Sequence, residues 1–217
     1  MRDRFWDQRY RMVDQQIRRR GVRDQRVLKV MTSLPRHLFV PLALRDASYA
    51  DTPLAIGLGQ TISQPYIVAL MSSALELRGS ENVLEVGTGS GYQAAILGCL
   101  AASVHTVELL PSLANRASRL LWRLGCRNVA IHRGDGSLGW KDAAPYDAVV
   151  VTAAAPMLPA PLSDQLARGG RLVIPLAGGD GYQLLTLVRR AQDGSLSERV
   201  ITSVAFVPLR GKFGIRN

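Results

Sequence analysis

The residues best suited to chemistry lie in one glycine-rich segment, Glu85-Val86-Gly87-Thr88-Gly89-Ser90-Gly91. Its glycines permit a tight turn and a close approach of the backbone to a ligand, and a helix that follows presents free N–H groups. The dinucleotide fingerprint would place its third glycine at position 92, where this chain has Tyr92. A carboxylate at Glu85 would repel a pyrophosphate, but it suits a ligand that carries an amino group and a sulfonium. We therefore predict a loop for S-adenosylmethionine, with these residues beside the cofactor: Glu85, Gly87, Thr88, Gly89 and Gly91.

Two further acidic residues follow the next two predicted strands. Glu108 ends the second strand, roughly twenty residues after Glu85, where a carboxylate can accept hydrogen bonds from both hydroxyls of a ribose. Asp135 lies between Gly134 and Gly136 after the third strand, where it can accept a hydrogen bond from the amino group of an adenine. Three acidic positions after three consecutive strands predict one cofactor site that also includes Gly136.

The order of predicted elements gives the fold that positions these residues. Helices are expected first, over 5–20, 24–33 and 64–77, with a loop-rich stretch over 35–59 between the last two. Strands then alternate with helices. The predicted strands cover 82–86, 103–108, 128–132, 147–152, 171–176, 183–190 and 199–209, and the predicted helices cover 91–100, 111–124 and 162–166.

This alternation is typical of an α/β protein with a doubly wound, mostly parallel seven-stranded sheet and a Rossmann-like methyltransferase fold. The last two strands would form a C-terminal antiparallel hairpin around the turn Asp193-Gly194. We expect a single domain over 1–217, with a helical, substrate-side segment over 1–78 and a cofactor-binding core over 79–217.

Composition excludes several classes of protein. Of the 217 residues 47% are hydrophobic and 20% charged, and no apolar run approaches the roughly 20 residues of a membrane span. The N-terminal residues lack the apolar stretch of a signal peptide, so we expect a cytoplasmic protein with no membrane partner. The two cysteines and three histidines are scattered without metal-ligand spacing, so no metal site is expected.

Several segments together resemble a known family. They are 34–41, 60–65, 84–95, 134–136, 146–156 and 206–209, and with them the chain resembles the bacterial type of protein-L-isoaspartate O-methyltransferases over nearly its whole length. Many methyltransferases share the glycine loop, whereas Thr61-Ile62-Ser63-Gln64-Pro65 is more particular to this family. The Arg-rich N-terminal helix and the basic tail 210–216 are less typical of the family and leave room for an adjusted substrate or partner.

The resemblance implies an activity and its residues. The substrates would be proteins and peptides that carry L-isoaspartyl residues, and S-adenosylmethionine would become S-adenosyl-L-homocysteine. Ser63 would be the active-site serine beside the substrate carboxylate, and Thr61 and Ile62 would lie beside the cofactor. The family's sheet exchanges its last two strands relative to the usual methyltransferase order, and the closing hairpin here fits either order. We expect a monomer.

The chemistry itself needs few groups. A carboxylate with an ordinary pKa of about 4 reaches the enzyme ionised, so no general base is required. We therefore expect Ser63 to orient the carboxylate through a hydrogen bond rather than to act as a covalent nucleophile.

Three alternatives remain open to the sequence. The net charge of +10, nearly all from arginine, is compatible with a nucleic-acid methyltransferase. Thr152-Ala153-Ala154-Ala155-Pro156 stands where an adenine-amino methyltransferase needs an Asn/Asp-Pro-Pro-aromatic segment, and neither cysteine lies in a loop suited to attack on cytosine, so nucleic acid is not the expected partner. A catalytically silent module that only binds the cofactor is disfavoured by the intact acidic residues and Ser63. A methyltransferase for one dedicated peptide aspartate is not excluded.

Overall fold

The N-terminal third of the chain forms short helices and one small hairpin in the computed structural model, which describes residues 4–215. Helix α1 spans Trp6–Arg11, and its path continues as a π-helix over Met12–Ile17 and a 3-10 helix over Arg18–Arg20. Helix α2 spans Gln25–Ser33, and 3-10 helices follow over Arg36–Phe39 and Leu42–Ala47. Strand β1 (Leu54–Gly57) pairs with β2 (Gln60–Ile62), and helix α3 spans Pro65–Ala74.

The π-helix explains how the first helical segment packs. Spacing at 3.6 residues per turn places Met12, Gln16 and Arg19 on one face, which is poor in apolar groups. In the structure Met12, Val13 and Ile17 are buried instead. A wider π-turn brings residues five apart onto the same side, so Met12 and Ile17 both reach the core. Gly21, at a φ of 99°, then ends the segment as the arginine-rich sequence predicted.

The hairpin of β1 and β2 was not predicted. Its turn runs through Gly57, Leu58 and Gly59, all of which have positive φ values. These glycines were interpreted only as breakers of a loop, because each strand is too short to display a clear alternation of apolar residues. The hairpin matters for the site, because it leads directly into Ser63.

The seven-stranded sheet confirms the predicted fold. Its strands are β3 (Asn82–Val86), β4 (Ser103–Glu108), β5 (Val129–Arg133), β6 (Tyr146–Val151), β7 (Leu166–Ala177), β8 (Gln183–Arg190) and β9 (Leu196–Val204). Their spatial order is β5-β4-β3-β6-β7-β8-β9, in which β3 to β7 run parallel while β8 lies antiparallel to both β7 and β9. The sequence left the order of the last two strands open. In the sheet they stand in the order in which they occur in the chain, so β8 lies between β7 and β9.

Alternating residues of the strands face two apolar layers. Val83 and Val150 pack with the N-terminal helices and with α4 (Tyr92–Leu100) and α5 (Pro111–Arg123). Leu84 and Val149 face the other layer, which includes α6 (Ala160–Asp164). Strand order reverses between β3 and β6, so the loops after these two strands open a crevice at the carboxyl end of the sheet.

The region before β7 differs from the prediction. The glycine pair Gly169-Gly170 was expected to end a helix, but both residues lie inside β7, which begins at Leu166. Pairing with β6 jumps from Leu166 to Arg171 across an irregularity that contains the two glycines. Within residues 4–215, no helix combines the length and the apolar character that crossing a bilayer requires.

Candidate active site

A cleft opens where the crevice was expected. The hairpin and the start of α3 form one side, the loops after β3 and β4 form the floor, and the C-terminal segment closes the other side. Most of the lining residues fall in the ranges 60–63, 86–90, 107–110 and 207–210, with Gly136 and Thr152 between them.

The glycine loop lies tight against the end of β6. Gly87 has a φ of 94°, and a Cβ placed on it would lie 2.4 Å from the Oγ1 atom of Thr152. The Thr152 hydroxyl donates a hydrogen bond to the Gly87 carbonyl at 2.7 Å. Only glycine fits this contact, which keeps the loop thin where it borders the cleft. Thr152 was not singled out from the sequence, although its position at the end of the switch-point strand was a usable signal.

Gly91 has a packing role. It caps the start of α4 with a φ of 88°, and a Cβ there would lie 3.3 Å from the Cβ of Ala117 in α5. It does not line the cleft, unlike Gly87, Thr88 and Gly89.

Glu108 lies in the cleft wall, at the end of β4. Its side chain is buried, and its two oxygens accept backbone hydrogen bonds from Gly89 at 2.8 Å and from Leu110 at 2.9 Å. These bonds fix the glycine loop relative to β4. Because a carboxylate oxygen has more than one lone pair, Glu108 can still accept hydrogen bonds from a ligand in the cleft.

Glu85 lies beneath the loop instead of in the cleft wall. It is fully buried, and the Thr106 hydroxyl donates to its Oε2 atom at 2.5 Å. Thr106 in turn shares a 2.7 Å hydrogen bond with Thr88, which borders the cleft. The Oε1 atom of Glu85 has no hydrogen-bond partner among residues 4–215. Burial raises the pKa of Glu85 to about 8.

The raised pKa of Glu85 predicts how stability depends on pH. Because the folded-state pKa lies above the unfolded value, ionisation of Glu85 in the unfolded chain destabilises the ligand-free fold as pH rises from about 4.5 to about 8. Glu85→Gln removes this effect. We expect the free energy of unfolding of the wild type to fall relative to the variant across this range, by at most about 1 kcal/mol per pH unit. Urea unfolding at several pH values measures the difference, and a difference that stays constant with pH would contradict the assignment.

Asp135 holds the C-terminal segment. Its Oδ1 atom accepts hydrogen bonds from the backbone N–H and the hydroxyl of Ser137, and its Oδ2 atom accepts from the N–H of Lys212 at 2.7 Å. The Ser137 hydroxyl also accepts from the N–H of Phe213. The neighbour Gly136 borders the cleft, but Asp135 itself does not. An adenine amino group would therefore have to donate its expected hydrogen bond to a carboxylate that already accepts one from the C-terminal tail.

Replacing Asp135 with alanine is expected to release the tail. Loss of the hydrogen bonds to this carboxylate costs about 2 kcal/mol. We expect faster limited proteolysis within 209–215 and an affinity for S-adenosylhomocysteine about 10-fold lower, because the tail closes the cleft.

A matched control exists in the turn between β8 and β9. There the Asp193 carboxylate also accepts from the N–H and the hydroxyl of the residue two positions on, Ser195. Asp193→Ala should leave proteolysis of the tail and the affinity unchanged. If Asp135→Ala behaved like Asp193→Ala, the role of the tail would be refuted.

Ser63 follows the hairpin and borders the cleft together with Gln60, Thr61 and Ile62. The N-cap of α3 is Gln64, so Ser63 lies just outside the helix and does not cap it. Its hydroxyl makes no hydrogen bond to the described part of the chain and is available to a ligand. Its carbonyl accepts a hydrogen bond from Arg36 at 2.8 Å. The structure thus brings Ser63 and Glu108 to one cleft from distant parts of the sequence.

Comparisons with known proteins agree with this geometry. The family model described as protein-L-isoaspartate(D-aspartate) O-methyltransferase matches residues 7–214. A protein-L-isoaspartate O-methyltransferase of Syntrophus aciditrophicus is 54% identical over 99% of both chains, and one of Methanoculleus marisnigri is 53% identical over 95% of this chain and 93% of its own.

Solved structures give the same result. One protein-L-isoaspartate O-methyltransferase superposes with a TM-score of 0.84 at 28% identity, covering 96% of this chain and 67% of the other. A Plasmodium falciparum protein described as a protein-L-isoaspartate O-methyltransferase, solved with S-adenosyl-L-homocysteine, gives 0.80 at 25% identity, covering 93% and 98%. With a family match from residue 7 to residue 214 and relatives above half identity, the chain belongs to the protein-L-isoaspartate(D-aspartate) O-methyltransferase family.

Proposed function

We propose that this protein transfers the methyl group of S-adenosylmethionine to the free carboxylate of L-isoaspartyl residues in damaged proteins and peptides. The observation that carries the proposal is the single cleft in which Ser63 faces the glycine loop and Glu108, within a chain that belongs to this family over nearly its whole length. S-adenosyl-L-homocysteine is the second product.

The cleft fits the cofactor. A Cβ on Gly136 would lie 2.6 Å from the Cγ1 atom of Val86, so this wall is as thin as the wall at Gly87. The Glu108 carboxylate is an acceptor for hydroxyl groups, and Glu85 lies behind the loop with its Oε1 atom unpartnered in the described structure. The residues proposed to hold the cofactor are Thr61, Ile62, Gly87, Thr88, Gly89, Glu108 and Gly136, while Glu85, Gly91 and Asp135 support them from behind. The bound cofactor supplies an electrophilic methyl group.

The chain's own residues position the acceptor. No histidine, lysine or cysteine side chain lies among the described residues that line the cleft, so none of these side chains serves there as a proton-abstracting base. None is needed, because the substrate carboxylate is ionised at neutral pH. The Ser63 hydroxyl can donate a hydrogen bond to one oxygen of this carboxylate, which favours its ionised form and fixes its direction. The hairpin and the C-terminal segment border the cleft on two sides and confine the reacting groups between them.

Repair then proceeds without further residues. Methanol leaves a methyl ester far more readily than hydroxide leaves a carboxylate, so the neighbouring backbone nitrogen attacks the ester carbonyl and closes a succinimide ring with loss of methanol. Hydrolysis of this ring returns a fraction of the residues to the normal aspartyl form.

Transfer of a radiolabelled methyl group to three acceptors tests the proposal. The acceptors are an isoaspartyl peptide, its normal aspartyl twin and bulk RNA. We expect label on the isoaspartyl peptide alone. Label on RNA alone would overturn the proposal in favour of a nucleic-acid methyltransferase, and label on the aspartyl twin alone would favour a dedicated aspartate methyltransferase.

The proposal also covers organisation and setting. We propose a monomer that acts in the cytoplasm on isoaspartyl proteins, with nucleic acid neither a substrate nor a partner. Residues 1–78 supply the substrate side and 79–217 the cofactor core, which is supported by the meeting of Ser63 from the first segment with Glu108 from the second. The molar mass in solution, from light scattering after size exclusion, measures the oligomeric state.

A further inference from the structure

Arg36 is a charged residue that the mechanism has not used. It begins the 3-10 helix Arg36–Phe39 and has no exposed surface. Its Nε atom donates to the carbonyl of Ser48 at 2.8 Å, and its Nη2 atom donates to the carbonyl of Ser63, also at 2.8 Å. One guanidinium therefore ties the segment before the hairpin to the active-site serine.

Two hydrogen bonds alone do not offset the free-energy cost of burying this guanidinium. Its Nη1 atom has no hydrogen-bond partner among residues 4–215. Asp51 is a carboxylate whose charge acts on Arg36, but it forms its ion pair with Arg20, at 2.5 Å. Burial lowers the pKa of Arg36 to about 10, so the group is still a cation at neutral pH. A buried cation without a close carboxylate is expensive, because the protein interior solvates charge poorly.

The charge of Arg36 lies directly behind the cleft wall. The guanidinium carbon is 4.8 Å from the centroid of the Tyr92 ring, and both Tyr92 and Ser63 line the cleft. The Tyr92 hydroxyl is buried and lacks a hydrogen-bond partner in the described structure. Burial raises the pKa of Tyr92 to about 12, so it stays neutral. Its ring face and hydroxyl stabilise the Arg36 cation in part, but they supply no full negative charge.

We propose that Arg36 is a positioning residue that fixes Ser63 through its carbonyl and whose buried positive charge holds the substrate carboxylate in its ionised form. This inference rests on the proposed function, because it needs an anionic acceptor beside Ser63. The field of a buried charge is weakly screened. Arg36 contacts both Ser63 and Tyr92, which line the cleft, so its charge acts on a carboxylate bound beside Ser63.

Other titratable groups surround this arginine. Tyr92 and Tyr49 face it, and Asp51 contributes to its charge environment. Behind them, His37 shares a 2.8 Å hydrogen bond with Tyr49, and Arg9 donates to the same hydroxyl at 3.2 Å.

Arg36→Gln and Arg36→Lys separate the two parts of the role. For Arg36→Gln we expect kcat on an isoaspartyl peptide to fall about 10-fold or more, with the acid limb of the kcat profile moved to higher pH. Arg36→Lys keeps the charge but loses the fork that holds two carbonyls, so kcat falls while the acid limb stays near the wild-type position. The dissociation constant of S-adenosylhomocysteine should stay within about 2-fold in both variants, because Arg36 does not line the cleft.

Arg9 provides the matched control. It is also a buried arginine, and its Nε atom donates to the carbonyl of Thr32, away from Ser63. Arg9→Gln tests loss of a buried charge without loss of the bond to Ser63, and its acid limb should match the wild type. The shift in Arg36→Gln must also persist when His37→Gln is added, which separates it from titration of His37.

The outcomes are decisive in either direction. An acid limb of kcat that does not move in Arg36→Gln, or that moves equally in Arg36→Lys or Arg9→Gln, overturns the inference. If Arg36→Gln does not fold, the Lys variant still decides, because an acid limb moved upward with the charge retained also refutes it. A wild type that fails to methylate any isoaspartyl peptide would instead refute the proposed function, and the two failures are thereby distinguished.

Discussion

Replacing Glu108 with alanine is expected to weaken binding of S-adenosylhomocysteine by about 100-fold. The carboxylate accepts the N–H groups of Gly89 and Leu110, and hydrogen bonds to a charged acceptor are worth about 1.5–3 kcal/mol each. Its loss removes these two attachments between the glycine loop and β4, and it also removes an acceptor for ligand hydroxyls. Isothermal titration calorimetry measures the change.

Glu108→Gln separates these contributions. Glutamine keeps the shape and one carbonyl oxygen, so we expect an affinity between those of the wild type and the alanine variant. Thermal unfolding without ligand shows whether the loop itself is destabilised. An affinity of Glu108→Ala equal to that of the wild type would remove Glu108 from the cofactor site.

Ser63→Ala is expected to lower kcat on an isoaspartyl peptide by about 10- to 100-fold, while the affinity for S-adenosylhomocysteine changes less than about 2-fold. The Ser63 hydroxyl is not used by the described part of the chain, so its removal leaves no internal partner unpaired. What is lost is the direction of the substrate carboxylate, which matters in the transition state. Steady-state kinetics with varied peptide measure the effect.

An ordinary serine serves as the control for this prediction. Ser33 lies at the exposed end of α2, where its hydroxyl donates to the carbonyl of Lys29. Ser33→Ala should retain wild-type kinetics. Full turnover in Ser63→Ala would contradict the orienting role, and an accumulating acyl-enzyme in the wild type would contradict the exclusion of a covalent nucleophile.

The sequence predicted the central strands of the sheet well because they are largely buried on both faces. β3, β4 and β8 begin and end at the predicted residues. The π-helix at Met12–Ile17 and the hairpin at Leu54–Ile62 escaped prediction for a different reason. Both are irregular or very short, and tertiary packing decides them more than local periodicity does.

The structure brings only some of the predicted site residues together. Glu108, Ser63 and the glycines at 87 and 89 do line one cleft. Glu85 lies one residue before the end of β3, and the alternation of side chains turns it to the layer beneath the loop. Asp135 accepts a hydrogen bond from the backbone N–H of Lys212, which lies 77 positions later in the sequence. No local sequence pattern predicts a contact between residues this far apart.

The central claim is that the chain methylates isoaspartyl residues and thereby starts their repair. Mass spectrometry over time on an isoaspartyl peptide with S-adenosylmethionine and the wild-type protein tests it most directly, with the aspartyl twin in parallel. We expect a methyl ester on the isoaspartyl carboxylate, then a succinimide, then accumulation of the normal aspartyl peptide, while the twin stays unmodified. An isoaspartyl peptide that stays unmethylated while the aspartyl twin gains the ester would contradict it.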